Sequence, residues 1–380
     1  MATTAPSEAS EVKADGDASG GDFLPVRAIE FFCGVGGLHY SLKQSGIDFM
    51  LVCALDVDEN ALRTYKHNHK NVVTSGADIS AMSEMQLSAL HADAWLLSPP
   101  CQPFSRVGEM LGEADARTGA LSHLISLLES CALQLLPRFM LLENVAGFES
   151  SSVRRRLTAV LRARGFDIRE LWASPAHFGV PNQRTRYFLL ARQLSSFCEA
   201  SSRLRPLLLD SAALDALTDD ARLPLPHGEP DASVQAGCAP LSAYLLDAQR
   251  DAATLGALRV PAHVLERYAP ALDLVTRHSR RSCCFTKNYT RYLKGTGSVI
   301  LEGAGFEEPL PSAKTAQTLE KLQPRFFGIR EIARLHGFPE SFDFPESVTR
   351  KKQYELLGNS LSVQASFQLF RFSFAFYVTR

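Results

Sequence analysis

The sequence predicts an α/β fold built on a parallel sheet that helices cover on both faces. Between residues 23 and 192, short apolar runs rich in β-favouring residues alternate with amphipathic stretches of helical period. This alternation is typical of parallel sheets buried on both sides. Candidate strands are VRAIEFF, DFMLVCALD, AWLLS, RFMLLEN and RYFLLAR. Distinctive polar residues follow several of these runs, where ligands of such sheets collect.

The remaining segments have different compositions. Residues 1–22 hold five acidic residues against one lysine and no apolar stretch, which predicts a disordered tail. Residues 193–325 begin with a stretch rich in Leu, Ala and Asp without a clear period, so we interpret them as an insert. GIREIARLHGFP and SVQASFQLFRFSFAFYV predict helices within residues 326–380, which we expect to pack back on the first domain.

Composition limits the class of protein. The chain has 380 residues, 46% of them hydrophobic, and a net charge of −1, which excludes a protein that is basic throughout. Its eight cysteines lack metal-ligand spacing, so neither a zinc site nor a disulfide framework is indicated and a reducing compartment is expected. No apolar run approaches the roughly 20 residues of a membrane span. We therefore expect a soluble protein.

A glycine-rich turn follows the first candidate strand, in FFCGVGGLHY. Gly34, Gly36 and Gly37 allow the backbone to approach a ligand at the start of a helix. His39 stands where the dinucleotide motif has its third glycine, which disfavours an NAD-dependent oxidoreductase. Asp56, after the second strand, can accept hydrogen bonds from ribose hydroxyls, and Asp78 can accept one from an adenine amino group. Together they predict a nucleoside pocket; a tight turn without a ligand is the alternative.

Cys101 lies in SPPCQPFSRVG, where two prolines end a strand-like run. The prolines hold the cysteine on a rigid loop, and the polar stretch from Gln102 to Thr118 is long enough to fold over a substrate. A buried small residue, a metal ligand and a nucleophile are the three interpretations of a lone cysteine.

Two further signals follow later strands. Glu143 ends the run in LLENVAGF and could exchange a proton with a substrate ring if burial raises its pKa, or could cap the next helix. Arg184 and Arg186, in PNQRTRYF, offer planar donors to a carbonyl or carboxylate, although either could belong to an ordinary ion pair.

Residues 275–298, here termed the recognition segment, are basic and contain aromatic residues but no acidic one. Basic groups hold phosphates and aromatic rings stack on unpaired bases, which indicates contact with RNA; a solvated basic face is the alternative. Its relevant residues are Arg277, Arg280, Arg281, Lys287, Tyr289, Arg291, Tyr292 and Lys294, with Phe285 among them.

Taken together, these motifs resemble the cytosine-C5 methyltransferases that use S-adenosylmethionine. FFCGVGG, Asp56, PPCQPFS, ENV, the arginine pair and GNSLSV occur in the order of that family. CFTKNYTRYLKGTGS, which begins at Cys284, resembles the signature of its tRNA-methylating branch. The resemblance implies a Rossmann-like class I S-adenosylmethionine-dependent methyltransferase domain over 23–192, a smaller target-recognition insert over 193–325, and a C-terminal segment over 326–380.

The resemblance also implies an activity and roles for residues. The tRNA branch methylates the cytosine at position 38, in the anticodon loop of tRNA(Asp). Cys101 would be the nucleophile that adds to C6, since cytosine C5 is too weak a nucleophile to accept a methyl group unaided. Glu143 would contact the N3 and amino edge of the base. Arg184 would lie on its O2 side with Arg186 in support.

The implied ligand residues form two sets, and no metal is expected. The set for S-adenosylmethionine, which leaves as S-adenosylhomocysteine, is Phe32, Val35, Gly36, Gly37, Asp56, Val57, Asp78, Ile79, Ser98, Pro100, Asn359 and Ser360. The set for RNA adds Cys284 and Thr286 to the cations and aromatics of the recognition segment. Much of the family has a glutamate where this chain has Asp56, although the tRNA branch shares the aspartate.

Three functions stay open on the sequence. The first is tRNA methylation; the second is a DNA cytosine-5 methyltransferase on the same fold; the third is a catalytically silent nucleic-acid-binding homologue. We expect tRNA as partner, at most weak DNA binding, no membrane and a monomer. We also expect a cytoplasmic location, with a nuclear share left open because Arg350–Lys352 is too short for a nuclear signal.

Overall fold

The structure is a computed structural model that describes residues 25–100, 119–194, 229–303 and 314–375, with side chains to residue 370. Several predictions concern residues outside these ranges. They are the tail over 1–22, Cys101 with the loop from Gln102 to Thr118, and the first part of the insert.

A seven-stranded sheet forms the centre of the first domain, in the order β3-β2-β1-β4-β5-β7-β6. The strands are β1 (Val26–Phe31), β2 (Phe49–Leu55), β3 (Thr74–Ser75), β4 (Ala94–Leu97), β5 (Phe139–Val145), β6 (Phe166–Ala173) and β7 (Arg186–Gln193). The five predicted runs form β1, β2, β4, β5 and β7. The sequence predicted a parallel sheet, but the sheet is mixed, because β7 runs antiparallel to both β5 and β6.

Helices lie between the strands along the described chain, and several of them flank this sheet. They are α1 (Gly37–Gln44), α2 (Glu59–Asn68), α3 (Glu84–Ser88), α4 (Gly119–Ser130), α5 (Ser152–Ala163), α6 (Ala232–Gly237), α7 (Ala252–Gly256), α8 (Ala262–Tyr268), α9 (Ala316–Lys321), α10 (Ile329–Leu335), α11 (Arg350–Asn359) and α12 (Val363–Ala375). Asp58 begins α2, since its carboxylate accepts hydrogen bonds from the N–H groups of Asn60 and Ala61. None of the described helices combines the length and the apolarity that crossing a bilayer demands.

Alternate residues of the strands bury apolar side chains on both faces of the sheet. On one face, Trp95 and Leu97 of β4 pack with α4 and α5. On the other, Leu96 packs with Leu38 of α1 and with Leu369 of α12. The hydroxyl of Ser41 also donates to the carbonyl O of Val363 at 3.1 Å, so the last helix lies against the first.

A second, smaller sheet lies within the predicted insert. It has three strands in the order β10-β9-β8, which are β8 (Asp273–Val275), β9 (Ser298–Leu301) and β10 (Pro324–Phe326). The recognition segment connects β8 to β9. The core of this region is continuous with residues of α10 and α11, which joins the insert to the C-terminal segment. The domain boundaries themselves stay predictions.

Candidate active site

The glycine-rich turn after β1 has a left-handed backbone that glycine adopts at little cost. Phe32, Gly34 and Gly36 have φ angles of 57°, 52° and 88°. A Cβ on Gly36 would lie 3.0 Å from Cε2 of Tyr65 and 3.1 Å from Nε2 of His69. The turn therefore rests directly on these two side chains, and any larger residue at Gly36 would push it away from them.

A buried glutamate lies beneath the turn. Glu30, in β1, accepts a hydrogen bond of 2.9 Å from the Tyr65 hydroxyl, and Nδ1 of His39 lies 2.9 Å from the same hydroxyl. Burial raises the pKa of Glu30 from 4.5 to about 8, although its hydrogen bonds oppose the rise. Burial also lowers the pKa of His39, and it lowers that of His69 to about 4. Burial therefore favours the uncharged form of each of these three groups.

Asp56 faces the turn from the end of β2. One carboxylate oxygen accepts the N–H of Gly34 at 2.8 Å and the other accepts the N–H of Asp58 at 2.8 Å. Burial raises the pKa of Asp56, and these hydrogen bonds oppose the rise. Each oxygen keeps a second lone pair. The group can therefore still accept hydrogen bonds from two hydroxyls of a ligand.

The other predicted cofactor residues differ in exposure. The exposed members are Asp78, Pro100, Asn359 and Val57, which is 72% exposed, while Val35 and Ile79 are buried. The Asp78 carboxylate accepts hydrogen bonds from the hydroxyl and the N–H of Ser80, which lower its pKa.

Two distant segments meet the turn. Ser98, after β4, donates its hydroxyl to the carbonyl O of Phe32 at 2.9 Å. From the C-terminal segment, Ser360 and Leu361 pack on Gly37, where a Cβ would lie 2.9 Å from Cγ of Leu361. The structure thus brings Ser98 and Ser360 to the glycine-rich turn from opposite ends of the chain.

A second group of polar residues forms where β5 ends and β7 begins. Because β7 is antiparallel, Arg186 at its start pairs with Val145 at the end of β5. Nε of Arg186 lies 3.2 Å from Oε1 of Glu143, and both side chains are largely buried. Burial raises the pKa of Glu143, while Arg186 and Arg184 act to lower it. A carboxyl group with a raised pKa can hold a proton that an exposed one would have lost.

Arg184 is buried against two further segments. Its Nη1 donates to Sγ of Cys284 at 3.1 Å and to the carbonyl O of Phe285 at 3.0 Å. Its Nη2 donates to the carbonyl O of Gly358 at 3.1 Å and to that of Ser360. Arg184 therefore joins the recognition segment to the C-terminal segment.

This geometry differs from the predicted division of roles between the two arginines. The resemblance places Arg184 on the O2 side of the base, with Arg186 in support. In the structure the terminal nitrogens of Arg184 are engaged by protein acceptors, whereas Arg186 contacts the Glu143 carboxylate. Arg186 thus contacts the carboxyl group of Glu143, while Arg184 contacts main-chain carbonyl groups; the assignment of an arginine to the O2 side of the base stays a prediction.

Cys284 lies between these arginines. Its Sγ is 3.1 Å from Nη1 of Arg184 and 3.9 Å from Nη2 of Arg186. Burial acts to raise the pKa of this thiol, but the two guanidinium groups outweigh it and hold the pKa below its usual range. The sequence left Cys284 as either a core or an RNA-binding residue, and the structure places it beside the Glu143 pair.

The recognition segment is more enclosed than its composition suggests. Phe285 and Tyr289 are buried and pack in an apolar core, so their rings contact protein and are not free to stack on a base. That part of the predicted RNA set is wrong for the conformation described. Tyr292, in contrast, is 61% exposed. It is the aromatic residue of the segment that a base could reach.

Several cations of the segment have partners on other elements. Arg281 pairs with Asp273 at 2.9 Å, Arg291 approaches Glu355 at 3.7 Å, and Arg280 donates to the carbonyl O of Cys238. Within the described ranges, no ion pair is formed by Arg277, Lys287 or Lys294. Thr286 and Lys287 lie with their backbone against Gly358, where a Cβ would overlap them.

Sequence reasoning missed the Glu30, Tyr65 and His39 network and the close approach at Gly358. A signal for the first existed, since Glu30 is an acidic residue between apolar residues at the end of the strand VRAIEF. For the second, the sequence marked Gly358 only as the first residue of the GNSLSV motif, without indicating which segment lies against it. Across the described residues, no group of three or more His, Cys, Asp or Glu side chains is placed to hold a metal ion.

Comparison with known proteins identifies the family. The model of the C-5 cytosine-specific DNA methylase family matches residues 26–207 and 262–372, well over half of the chain. The chain belongs to the C-5 cytosine methyltransferase family. Membership confirms the predicted family and its α/β fold, and the family implies methylation that depends on S-adenosylmethionine.

Relatives and a solved structure extend this result to the predicted branch. The tRNA (cytosine(38)-C(5))-methyltransferase of Rattus norvegicus is 35% identical over 379 residues, which cover 89% of this chain and 96% of the relative. The DNA (cytosine-5)-methyltransferase of Dictyostelium discoideum is 32% identical over 361 residues, which cover 91% and 93%. The crystal structure of S. pombe Dnmt2 methyltransferase has a TM-score of 0.71 at 30% identity and covers 92% of this chain and 98% of that one. The predicted resemblance to the tRNA branch is thereby confirmed.

Proposed function

We propose that this methyltransferase methylates C5 of a cytosine in tRNA, at position 38 in the anticodon loop of tRNA(Asp). The observation that carries the proposal is the position of Arg184. It joins the recognition segment to Ser360, and Ser360 packs on the glycine-rich turn, while Arg186 and Glu143 lie alongside. A base delivered by the recognition segment would therefore meet the carboxyl group and the cofactor turn together.

The residues around the turn fit S-adenosylmethionine. Asp56 keeps free lone pairs for the ribose hydroxyls, and at Gly34 a Cβ would meet no other atom within 4 Å, so the backbone there is open to a ligand. Val57, exposed beside Asp56, would cover the adenine together with Ile79. When bound, the cofactor supplies an electrophilic methyl group.

Cys101 is the nucleophile in this proposal. It follows Pro100 shortly after β4, whose carboxyl end lies beside that of β1. Its thiolate would add to C6 of cytosine and move electron density to C5, the atom that would accept the methyl group as the S–CH3 bond of the cofactor breaks and S-adenosylhomocysteine is left. Loss of the C5 proton returns the electron pair to the ring and expels the thiolate.

Glu143 and Arg186 serve that addition. A protonated Glu143 would hydrogen-bond N3 and the amino edge, which stabilises the ring as it gains electron density. Arg186, at 3.2 Å, fixes the orientation of the carboxyl group. An unpaired loop base reaches such a site at less cost than a base-paired one. Weak DNA binding, a monomeric state and a cytoplasmic location with some nuclear share stay predictions.

Substrate choice is tested with transcripts that differ at one base. We expect methyl transfer from labelled S-adenosylmethionine to a tRNA(Asp) transcript and none to the same transcript with uridine at position 38. A cytosine-containing DNA duplex is the parallel substrate. Transfer to DNA with none to tRNA would assign the DNA function instead, and transfer to neither would favour a silent binding protein.

The nucleophile is tested with Cys101→Ala. We expect this variant to lose methyl transfer and to bind S-adenosylhomocysteine within a few-fold of the wild type, because the cofactor residues are unchanged. Cys131→Ala, at a buried cysteine of the α4 and α5 face, is the matched control and should keep transfer. Continued methylation by Cys101→Ala would refute the covalent mechanism.

A further inference from the structure

A groove on the outside of α2 is lined by cations and lies apart from the site described above. Its volume is about 420 Å³. Its lining residues are Arg63, Lys66, His67, Lys70, Pro345 and Ser347, which define what we call the α2 groove. Arg63, Lys66 and His67 are exposed on α2, Lys70 is exposed two residues after the end of the helix, and the other two lining residues precede α11.

The two walls of the groove are fixed to one another. The side-chain amide of Asn68 donates to the carbonyl O of Asp343 at 2.8 Å and accepts the N–H of Asp343 at 3.0 Å. The same amide nitrogen donates to the carbonyl O of Thr64 at 2.8 Å. The C-terminal segment is therefore held against α2, and the groove is present without a ligand.

The charge of the groove is not balanced from within it. No acidic residue is among its lining residues. Arg63 pairs with Glu59 at 3.0 Å, but neither Lys66 nor Lys70 forms an ion pair in the part of the chain that the structure describes. Like charges on one helix face repel one another, so folding gives no reason to collect them. An anionic ligand that binds in the groove would give a reason to collect these cations.

A line of charged contacts connects the recognition segment to α2. Arg291 lies 3.7 Å from Glu355, and Lys352 contacts Glu355 at 3.7 Å and Asp58 at 2.7 Å. Asp58 begins α2, and a helix rises 1.5 Å per residue. Lys66 therefore lies about 12 Å along the helix from that end, and Lys70 follows the other end of α2. Arg350 and Lys351, exposed on α11, add cations next to this line.

We propose that the α2 groove binds the phosphodiester backbone of the tRNA outside the anticodon arm. This inference rests on the proposed function. Lysines act as point charges for phosphates and read no base, so the contact would position the RNA without specifying sequence. The contacts from Arg291 through Lys352 to Asp58 place cations of α11 between the recognition segment and α2, the helix that carries most of the groove.

The test compares Lys66→Ala/Lys70→Ala with the wild type on two RNAs, a full-length tRNA(Asp) transcript and its isolated anticodon stem-loop. For the full-length tRNA we expect a several-fold weaker Kd and KM, a salt-dependence slope smaller by about 2, and an unchanged kcat at saturation. For the stem-loop we expect no change. Arg155→Ala/Arg162→Ala, on the exposed side of α5 across the sheet, is the matched control and should behave as wild type.

A variant that adds positive charge to the groove tests the opposite effect. Glu346 is exposed between the two lining residues of the C-terminal wall, and Glu346→Lys should tighten full-length tRNA and leave the stem-loop unchanged. S-adenosylhomocysteine affinity and Tm report the fold of each variant. An unchanged Kd and salt slope in Lys66→Ala/Lys70→Ala would overturn the proposal, and so would equal losses on both RNAs. Failure of the wild type to methylate tRNA would instead refute the proposed function.

Discussion

Two glutamates are buried in neighbouring parts of the sheet, and the protein accommodates them differently. Glu143, in β5, lies 3.2 Å from a guanidinium group. Glu30, in β1, has the hydroxyl of Tyr65 instead and forms no ion pair with any described residue. Burial raises the pKa of both, but two arginines oppose the rise at Glu143, whereas at Glu30 hydrogen bonds alone oppose it.

In the proposed mechanism, this difference separates a group that exchanges protons from a group that supports a backbone. At the end of β5, Arg184 and Arg186 limit the rise in the pKa of Glu143. Its carboxyl group can then both take up and release a proton, as the proposed role requires. Beneath the glycine-rich turn, a neutral Glu30 holds Tyr65 without placing a charge there. Three substitutions test this separation.

The largest effect is expected from Glu143→Gln. Glutamine keeps the shape of the side chain but cannot deliver a proton to N3, so methyl transfer to tRNA should fall by about 10²- to 10⁴-fold. Affinity for S-adenosylhomocysteine should stay unchanged. Single-turnover rates and calorimetry measure the two quantities. Glu129→Gln, at an exposed glutamate paired with Arg156, is the control and should transfer at the wild-type rate.

Two results would contradict this prediction. One is wild-type transfer by Glu143→Gln, which would remove Glu143 from the chemistry. The other is a parallel loss of cofactor affinity, which would mean that Glu143 also supports cofactor binding at the glycine-rich turn.

The next effect is on stability and comes from Glu30→Gln. Glu30 has a pKa of about 8 in the folded protein against an ordinary 4.5, so the folded state retains a proton that the unfolded chain loses. Its contribution to stability is therefore complete below about pH 4.5 and is lost as the pH rises to about 8. In that window, the free energy of unfolding of the wild type should fall relative to Glu30→Gln by up to about 1.4 kcal/mol per pH unit.

Urea unfolding of both proteins from about pH 5 to about pH 8 measures this difference. Only the difference between the two curves is assigned to Glu30, because other groups titrate in both. Parallel curves would show that Glu30 is ionised in the folded protein and that the contrast with Glu143 is mistaken.

The smallest effect is expected from Tyr65→Phe. The ring that supports Gly36 stays, but Glu30 and His39 lose their shared hydroxyl, which should cost about 1–3 kcal/mol in the free energy of unfolding. Combining Tyr65→Phe with Glu30→Gln measures the coupling between the two side chains. Strictly additive losses would show that the hydrogen bond contributes nothing.

The sequence predicted much of the fold because strands that are buried on both faces have strong apolar runs. It missed β6 because Asp167, Arg169 and Glu170 interrupt that strand, and it missed β3 because two residues carry no period. The reversed direction of β7 was also missed, since the hydrophobic pattern of a strand is the same in either direction.

The sequence predicted which residues belong to the candidate site better than it predicted which groups those residues contact. Glu143 and the arginines could be found because they lie at the ends of strong runs, but the main-chain partners of Arg184 are carbonyl groups from distant segments, which no local pattern indicates. Phe285 and Tyr289 were assigned to RNA because a buried aromatic residue and one that stacks on a base look alike in a sequence. Only tertiary packing distinguishes them.

The contact at Gly358 joins two main chains, with no room for a side chain between them. Side-chain contacts can drift and be repaired by substitutions at neighbouring positions, whereas this one depends on a single hydrogen atom at Cα. A side chain at position 358 would therefore push Thr286 and Lys287 away from the end of α11, next to Ser360, which packs on the glycine-rich turn. For engineering, Gly358 should be kept while other residues of the recognition segment are varied to change substrate specificity.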